Sequence, residues 1–254
     1  MINYRDQLYA FPKDDMGERY DPVVNRWCTL DLSITRPSKV AVVRGEIYSI
    51  EFSTSSTIKK YDNERCSWQT VLSSDEGCRD WSCVVVAGNH LYVCGGMIEG
   101  EGVTKAERFD TVENKWEEIA NMQENRMVAF GVATEGKIFV AGGMNSTSFL
   151  QTCEMFNIST NEWQLIGSLT VERACGSMVC LKGKLYVLGG TKTWGSGLSV
   201  ECYDPTEDKW IDKTTIPVKM NSLHKEKKLT FSGCVLKLSK GVLDKLDIVK
   251  DSKS

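Results

Sequence analysis

The chain has 254 residues, 41% hydrophobic and 26% charged, with a formal net charge of −3 from 31 Lys+Arg against 34 Asp+Glu. That balance argues against whole-domain binding to nucleic acid or an anionic membrane, which needs a basic field. Beside 10 Cys, 21 Gly and 7 Trp stand only 2 His, so imidazole-based metal chemistry is narrowly limited, and neither metal nor cofactor is expected.

No run reaches the ~18 apolar residues of a membrane helix, and the stretch from Met1 to Gln7 lacks an apolar leader core. The expected address is therefore cytoplasmic, compatible with cytoskeletal association, and the cysteines are expected to stay reduced. Cys78/Cys83 and Cys175/Cys180 are five apart, a step that points to opposite faces of a strand, and no C-x-x-C pair of the zinc type is present.

The chain reads as a succession of similar units. The first, around residues 7–27, opens with an apolar strand from Gln7 to Phe11 and ends in Tyr20-Asp21 and Trp27. The second, 36–68, runs from Arg36 through a strand at Ile47 to Tyr61-Asp62 and Trp68. The third, 79–116, adds Gly95-Gly96 after the strand at Leu91, then Phe109-Asp110 and Trp116. In the fourth, 126–163, Arg126 opens an apolar run to Ala133, and Thr134-Glu135-Gly136-Lys137 is a hairpin turn. Ile138 to Ala141 then leads into Gly142-Gly143, followed by Phe156-Asn157 and Trp163. The fifth, 173–210, repeats this with Arg173, Leu185, Gly189-Gly190, Tyr203-Asp204 and Trp210.

The phased tryptophans are 41, 48, 47 and 47 residues apart, and two residues before each aromatic stands Glu18, Lys59, Glu107, Glu154 or Glu201. Short strands of this length, bounded by turn residues and repeated at a fixed period, predict a β-propeller with one four-stranded blade per repeat. The double glycines are expected to serve turns that other residues resist, and each phased Trp to pack between neighbouring blades.

The first two units are eroded, with Pro12-Lys13 and Glu51-Phe52 where a double glycine belongs. The first unit is also expected to lack its innermost strand. After Trp210 comes an insert, His224-Lys225-Glu226-Lys227-Lys228, read as a solvated basic cluster. Thr230 to Leu238 loosely copies Arg173 to Leu181, so residues 230–238 are expected to supply the missing inner strand and to close the ring, which removes exposed edges. Residues 239–254 are then an irregular or helical tail.

An apolar strand ending in Gly-Gly, Glu-x-Tyr/Phe-Asp, Trp seven residues after the aromatic and Arg about ten later together resemble the kelch repeat, from about Leu8 to Trp210. The subtype is most similar to the C-terminal propeller of the kelch-like (BTB-BACK-kelch) family. The resemblance implies an all-β kelch-type propeller over residues 1–238, with about five four-stranded blades, as a fragment or variant of a six-bladed ring. It also implies a non-catalytic protein-interaction module, the substrate-recognition propeller of a cullin-3 ubiquitin-ligase adaptor. Cullin-3 would be reached only through a BTB-BACK segment, which this sequence does not contain. An actin-binding or scaffolding kelch protein is the alternative, and a kelch-fold carbohydrate oxidase or isomerase a more distant one. A copper oxidase needs converging imidazoles, and His90 in a hairpin turn and His224 in the insert do not promise them.

Binding should lie where the repeats differ, because loops carry function on a rigid scaffold. Residues 97–106, 144–152 and 191–199 link second to third strands, and 117–125 and 164–172 join blades, all on one face. Met144, Phe149 and Trp194 are the apolar contact candidates there. Arg36, Arg79, Arg126 and Arg173 start the inner strands. Two readings stand for them: gripping an acidic peptide or carboxylate, or pairing with carboxylates of their own blades. Gly131 through Gly136-Lys137 mimics a phosphate loop, but Ile138 stands where Ser or Thr should hold Mg²⁺, and strands flank it.

Overall fold

Each unit folds on itself because its turns are chemically prescribed. The Asp or Asn after each repeated aromatic ends a third strand, and its Oδ1 accepts backbone N–H bonds from the residues that follow. Asp110 takes those of Val112 and Glu113 at 2.7 and 3.1 Å, and Asn157 those of Ser159 and Thr160 at 3.0 and 3.3 Å. The turn then passes through a left-handed residue two before the Trp: Asn25, Asn114, Asn161 and Asp208 have φ between 48° and 58°. Asn and Asp tolerate that conformation better than other side chains.

The computed structural model describes residues 2–5, 7–10, 17–30, 38–52, 55–62, 64–65, 67–74, 79–190 and 199–215. These fall into two compact units, one within Met1–Ser74 and one within Asp75–Gly233. The first unit holds β1 (Ile2–Tyr4), β2 (Gln7–Ala10), β3 (Gly17–Asp21) and β4 (Arg26–Leu30), then β5 (Ser38–Val43), β6 (Glu46–Phe52), β7 (Ser56–Asp62) and β8 (Ser67–Ser74). The second begins with β9 (Cys83–Ala87), β10 (His90–Cys94), the small hairpin β11 (Met97–Ile98) and β12 (Glu101–Gly102), β13 (Ala106–Asp110) and β14 (Lys115–Glu118). It continues with β15 (Phe130–Thr134), β16 (Lys137–Ala141), β17 (Cys153–Asn157) and β18 (Glu162–Ile166). Its last blade is β19 (Ser177–Leu181), β20 (Lys184–Leu188), β21 (Ser199–Asp204) and β22 (Lys209–Thr215).

Among the described residues there are thus five four-stranded sheets, each a meander of antiparallel neighbours, and the fold is an all-β kelch-type propeller. First strands of successive blades lie side by side, β1 on β5 in one unit and β9 on β15 on β19 in the other.

One expectation is corrected. The first blade has its innermost strand: β1 pairs with β2 through Ile2↔Tyr9, Asn3↔Leu8 and Tyr4↔Gln7. The place assigned to residues 230–238 is filled by three N-terminal residues. Residues 230–238, the tail 239–254 and the basic insert lie outside the described residues.

The aromatic-to-Trp spacing is a register. Tyr20↔Trp27, Tyr61↔Trp68, Phe109↔Trp116, Phe156↔Trp163 and Tyr203↔Trp210 face each other across the third and fourth strands. Their ring centroids are 4.9–5.4 Å apart, within the range of favourable aromatic pairs. The cores form between blades. Val85, Tyr92 and Cys94 of one blade pack with Ile138, Phe156 and Trp163 of the next, and Phe130, Phe139 and Met155 pack with Val187, Tyr203 and Trp210. In the first unit Ile2 and Tyr4 share a core with Ile47 and Tyr61. Strands buried on both faces therefore lack clean alternation, as in β10, where Leu91 to Cys94 are all buried.

Candidate functional site

The second-to-third-strand loops and the inter-blade connections meet at one end of the blades in the second unit. That end is built around Arg79, Arg126 and Arg173, each just before a first strand. All three side chains are at most 1% exposed. Arg79 donates to Glu107, to the Gly95 carbonyl at 2.8 Å and to the Val93 carbonyl at 2.9 Å. Arg126 donates to Glu154 at 3.1 Å, to Gly142 O at 3.0 Å and to Thr152 O at 2.8 Å, and Arg173 to Glu201 and to Gly189 O at 2.8 Å. The repeated Arg, Glu and first Gly thus form one lock per blade. Of the two readings of these arginines, the geometry favours internal pairing, since each guanidinium is buried and already engaged by a carboxylate of its own blade.

Each lock also reaches the adjacent blade. Gly96 N–H donates to Arg126 O at 2.7 Å, and Gly143 N–H to Arg173 O at 2.9 Å. Glu154 accepts the N–H groups of Gln123 and Glu124 at 2.7 and 3.2 Å, fixing the connection that enters its blade. Trp163 Nε1 donates to Ala120 O at 2.7 Å, and Asn161 Oδ1 accepts from Ala120 N–H at 3.0 Å. Burial opposes the charge on Glu107, but hydrogen bonds from Lys105 and Arg79 outweigh it and hold its carboxyl below the usual carboxylate range. In the second blade, where Glu51 replaces the double glycine and Lys59 the glutamate, Lys59 donates to Glu51 at 2.8 Å, so the polarity of the pair is swapped.

Two residues after each buried arginine the backbone turns left-handed, at Trp81 (φ 58°), Val128 (φ 48°) and Cys175 (φ 57°). A β-branched residue resists this region, so surrounding bonds must impose it. They do: Val128 N–H donates to Trp81 O at 2.8 Å, and Cys175 N–H to Val128 O at 3.1 Å. Three successive blade starts are laced into one rail, and at its first position Trp81 leaves 53% of its surface in solvent. Beside the rail Met97 pairs with Asp80, and Met144 bridges both Met127 and Phe149; Met97, Met144 and Phe149 are half-buried. Ser146 donates to Glu101 at 2.6 Å, tying two neighbouring loops together. A groove of about 760 Å³ runs between the loop at 98–106 and the connection at 118–125, lined by Ile98, Lys105, Glu118, Asn121, Gln123 and Asn125.

Sequence reasoning singled out Met144 and Phe149, which the structure brings together, and missed Trp81. The available signal was that Trp81, like Trp194, falls outside the tryptophan phase. Arg36 and Trp194 lie outside the described residues. Among the phased tryptophans, Trp163 and Trp210 are buried and Trp68 and Trp116 half-buried, whereas Trp27 is 45% exposed. Gly95, Gly96, Gly142, Gly143, Gly189 and Gly190 all have positive φ. His90 lies 3.4 Å from Asp110, at the opposite end of its blade. Among the described residues no group of three or more His, Cys, Asp or Glu is placed to hold a metal, and no helix is long and apolar enough to cross a membrane.

Known proteins share this pattern. Kelch-like protein 25 of Xenopus tropicalis is 28% identical over 128 residues, covering 48% of this chain and 21% of that protein. An F-box/kelch-repeat protein of Arabidopsis thaliana is 29% identical over 109 residues (39% of this chain, 29% of that protein). Kelch-like protein 15 of Danio rerio is 30% identical over 88 residues (35% of this chain, 14% of that protein). The matches therefore span less than a third of each relative's length. A solved structure titled "Structure of YjhT" superposes with a TM-score of 0.65 at 14% identity, covering 82% of this chain and 77% of that one, and shows the fold alone. The family described as "KLHDC2/KLHL20/DRC7 Kelch-repeats domain" matches residues 83–234, more than half of the chain, including Arg126, Arg173 and all three lock glutamates. The chain belongs to the kelch-repeat family.

Proposed function

We propose that this chain is a non-catalytic protein-interaction module, the substrate-recognition propeller of a kelch-like cullin-3 ubiquitin-ligase adaptor. The observation that carries the reading is the exposed Trp81, held by backbone bonds at the start of an arginine-locked strand, with Met144 and Phe149 on the neighbouring loop. An apolar side chain fixed in solvent costs stability locally and gives a partner a rigid anchor. The similarity to kelch-like proteins supports the adaptor role; there cullin-3 would be engaged by a BTB-BACK segment, not by the propeller. The F-box/kelch relative supports the same kind of repeat module joined to a different companion segment.

The test is affinity purification of the full gene product from cross-linked cells, as wild type and as Trp81→Ala with Phe149→Ala. Cullin-3 should accompany both forms, and a substrate protein the wild type alone. Recovery without cullin-3 removes the adaptor role. Co-sedimentation with actin filaments that ignores the double substitution favours the scaffolding alternative.

A further inference from the structure

We infer, resting on that reading, that the loop end takes a basic peptide segment carrying an apolar anchor, rather than an acidic one. Over residues 79–82, 95–106, 117–129, 142–152 and 164–176 the cations are Arg79, Lys105, Arg126 and Arg173, and the anions are Asp80, Glu99, Glu101, Glu117, Glu118, Glu124 and Glu172. The three arginines are buried on Glu107, Glu154 and Glu201, Arg126 also holds Glu124 at 3.0 Å, and Glu117 is held by Arg108 at 2.8 Å and Lys115 at 3.2 Å, which leaves Lys105 as the single cation with solvent exposure in those segments. Lys105 is itself held by Glu107 at 2.6 Å, with Glu118 at 3.9 Å. Asp80, Glu99, Glu101 and Glu118 are exposed.

Placement makes this more than a count. Asp80 immediately precedes Trp81, and its carbonyl accepts the Met97 N–H at 2.8 Å, which joins the Trp81 turn to the base of the β11–β12 hairpin. Glu99 and Glu101 sit at the tip of that hairpin and Ile98 beside them is exposed, while Glu118 and Ile98 line the adjoining groove. Exposed carboxylates therefore flank a backbone-linked set of apolar residues, Trp81, Met97, Met144 and Phe149. Methionine adapts its shape to irregular apolar partners. Negative flanks speed the approach of a cationic segment and repel an acidic one, while the apolar set holds what arrives.

The experiment titrates the full chain into four fluorescein-labelled peptides of about ten residues, built from Lys/Leu, Glu/Leu, Ser/Leu or Lys/Ser, and reads anisotropy at about 50 and about 150 mM salt. The Lys/Leu peptide should bind about tenfold tighter than each of the others. Trp81→Ala should abolish that preference, and Glu99→Lys with Glu101→Lys should reduce it and flatten its salt dependence. Near-UV circular dichroism checks that both variants keep the native fold. If Glu/Leu or Ser/Leu binds as tightly and still needs Trp81, the basic preference is overturned while the interaction surface stands. Equal binding of Lys/Ser overturns the apolar anchor. Binding of none of the four overturns the inference, and the adaptor reading is then judged by the purification alone.

Discussion

The carbonyl oxygen of Arg126 lies 2.4 Å from the point that a Cβ on Gly95 would occupy. The next blade repeats the relationship, with Arg173 O at 2.3 Å from a Cβ on Gly142. The double glycine is thus where one blade's backbone presses on its neighbour, and the left-handed turn at Gly95 (φ 63°) accompanies that approach.

Gly95→Ala and Gly142→Ala should each destabilise the protein by about 3 kcal/mol or more, since backbone must move to admit the methyl. Gly136→Ala and Gly183→Ala, in hairpin turns with nothing within 4 Å of the added methyl, should cost only the left-handed strain, about 1–2 kcal/mol. Urea denaturation of the four variants separates packing from conformation; equal losses would refute the close-approach account.

Arg126→Met should cost about 3–5 kcal/mol, because it leaves the buried Glu154 charge and two buried carbonyls without their donor, and Glu154→Gln less, about 1–3 kcal/mol, because Arg126 keeps Glu124 at 3.0 Å and both carbonyls. Arg126→Glu with Arg173→Glu is expected to unfold the module instead of merely weakening a partner. Thermal melts decide the matter: a fully folded double variant that has lost only binding would return the arginines to the recognition surface.

Acid should unfold the protein through its turn and lock carboxylates. The Val112 and Glu113 N–H groups hold the Asp110 carboxyl below its ordinary range, and Tyr203 and the Gly167 N–H do the same for Asp208. With Glu107 also depressed, each group binds protons more weakly folded than unfolded. Their contribution is therefore complete above about pH 5 and is lost as pH falls through the depressed values. Melting temperature should be flat from neutrality to about pH 5 and then drop. Asp110→Asn should keep its turn, as Asn157 does at the equivalent place, and make the drop shallower; an unchanged profile would exclude this site from the acid response.

Trp163→Phe should cost about 1 kcal/mol for the lost bond to Ala120, and Trp163→Ala about 3–5 kcal/mol for the lost core. Trp27→Ala should cost clearly less, because that ring is half in solvent. Equal losses in chemical denaturation would show that the phased tryptophans act alike despite their different burial.

The aromatic-to-Trp spacing was legible in the sequence because a cross-strand register prints a constant interval wherever a hairpin recurs. The arginines were visible as landmarks, but periodicity cannot say which way a side chain faces, so their two readings stayed open until Glu107, Glu154 and Glu201 were seen beneath them. β1 was missed because Ile2-Asn3-Tyr4 lacks the arginine that precedes other first strands. Trp81 was missed for the complementary reason: it occupies a repeated backbone position whose side chain does not repeat, with Val128 and Cys175 as its counterparts.

At the three laced positions the main chain supplies the mounting and the side chain is a replaceable fitting: indole, isopropyl and thiol already share one geometry. A gene carrying such a socket can trade one ligand for another by single codon changes, with the arginine anchors beneath left untouched.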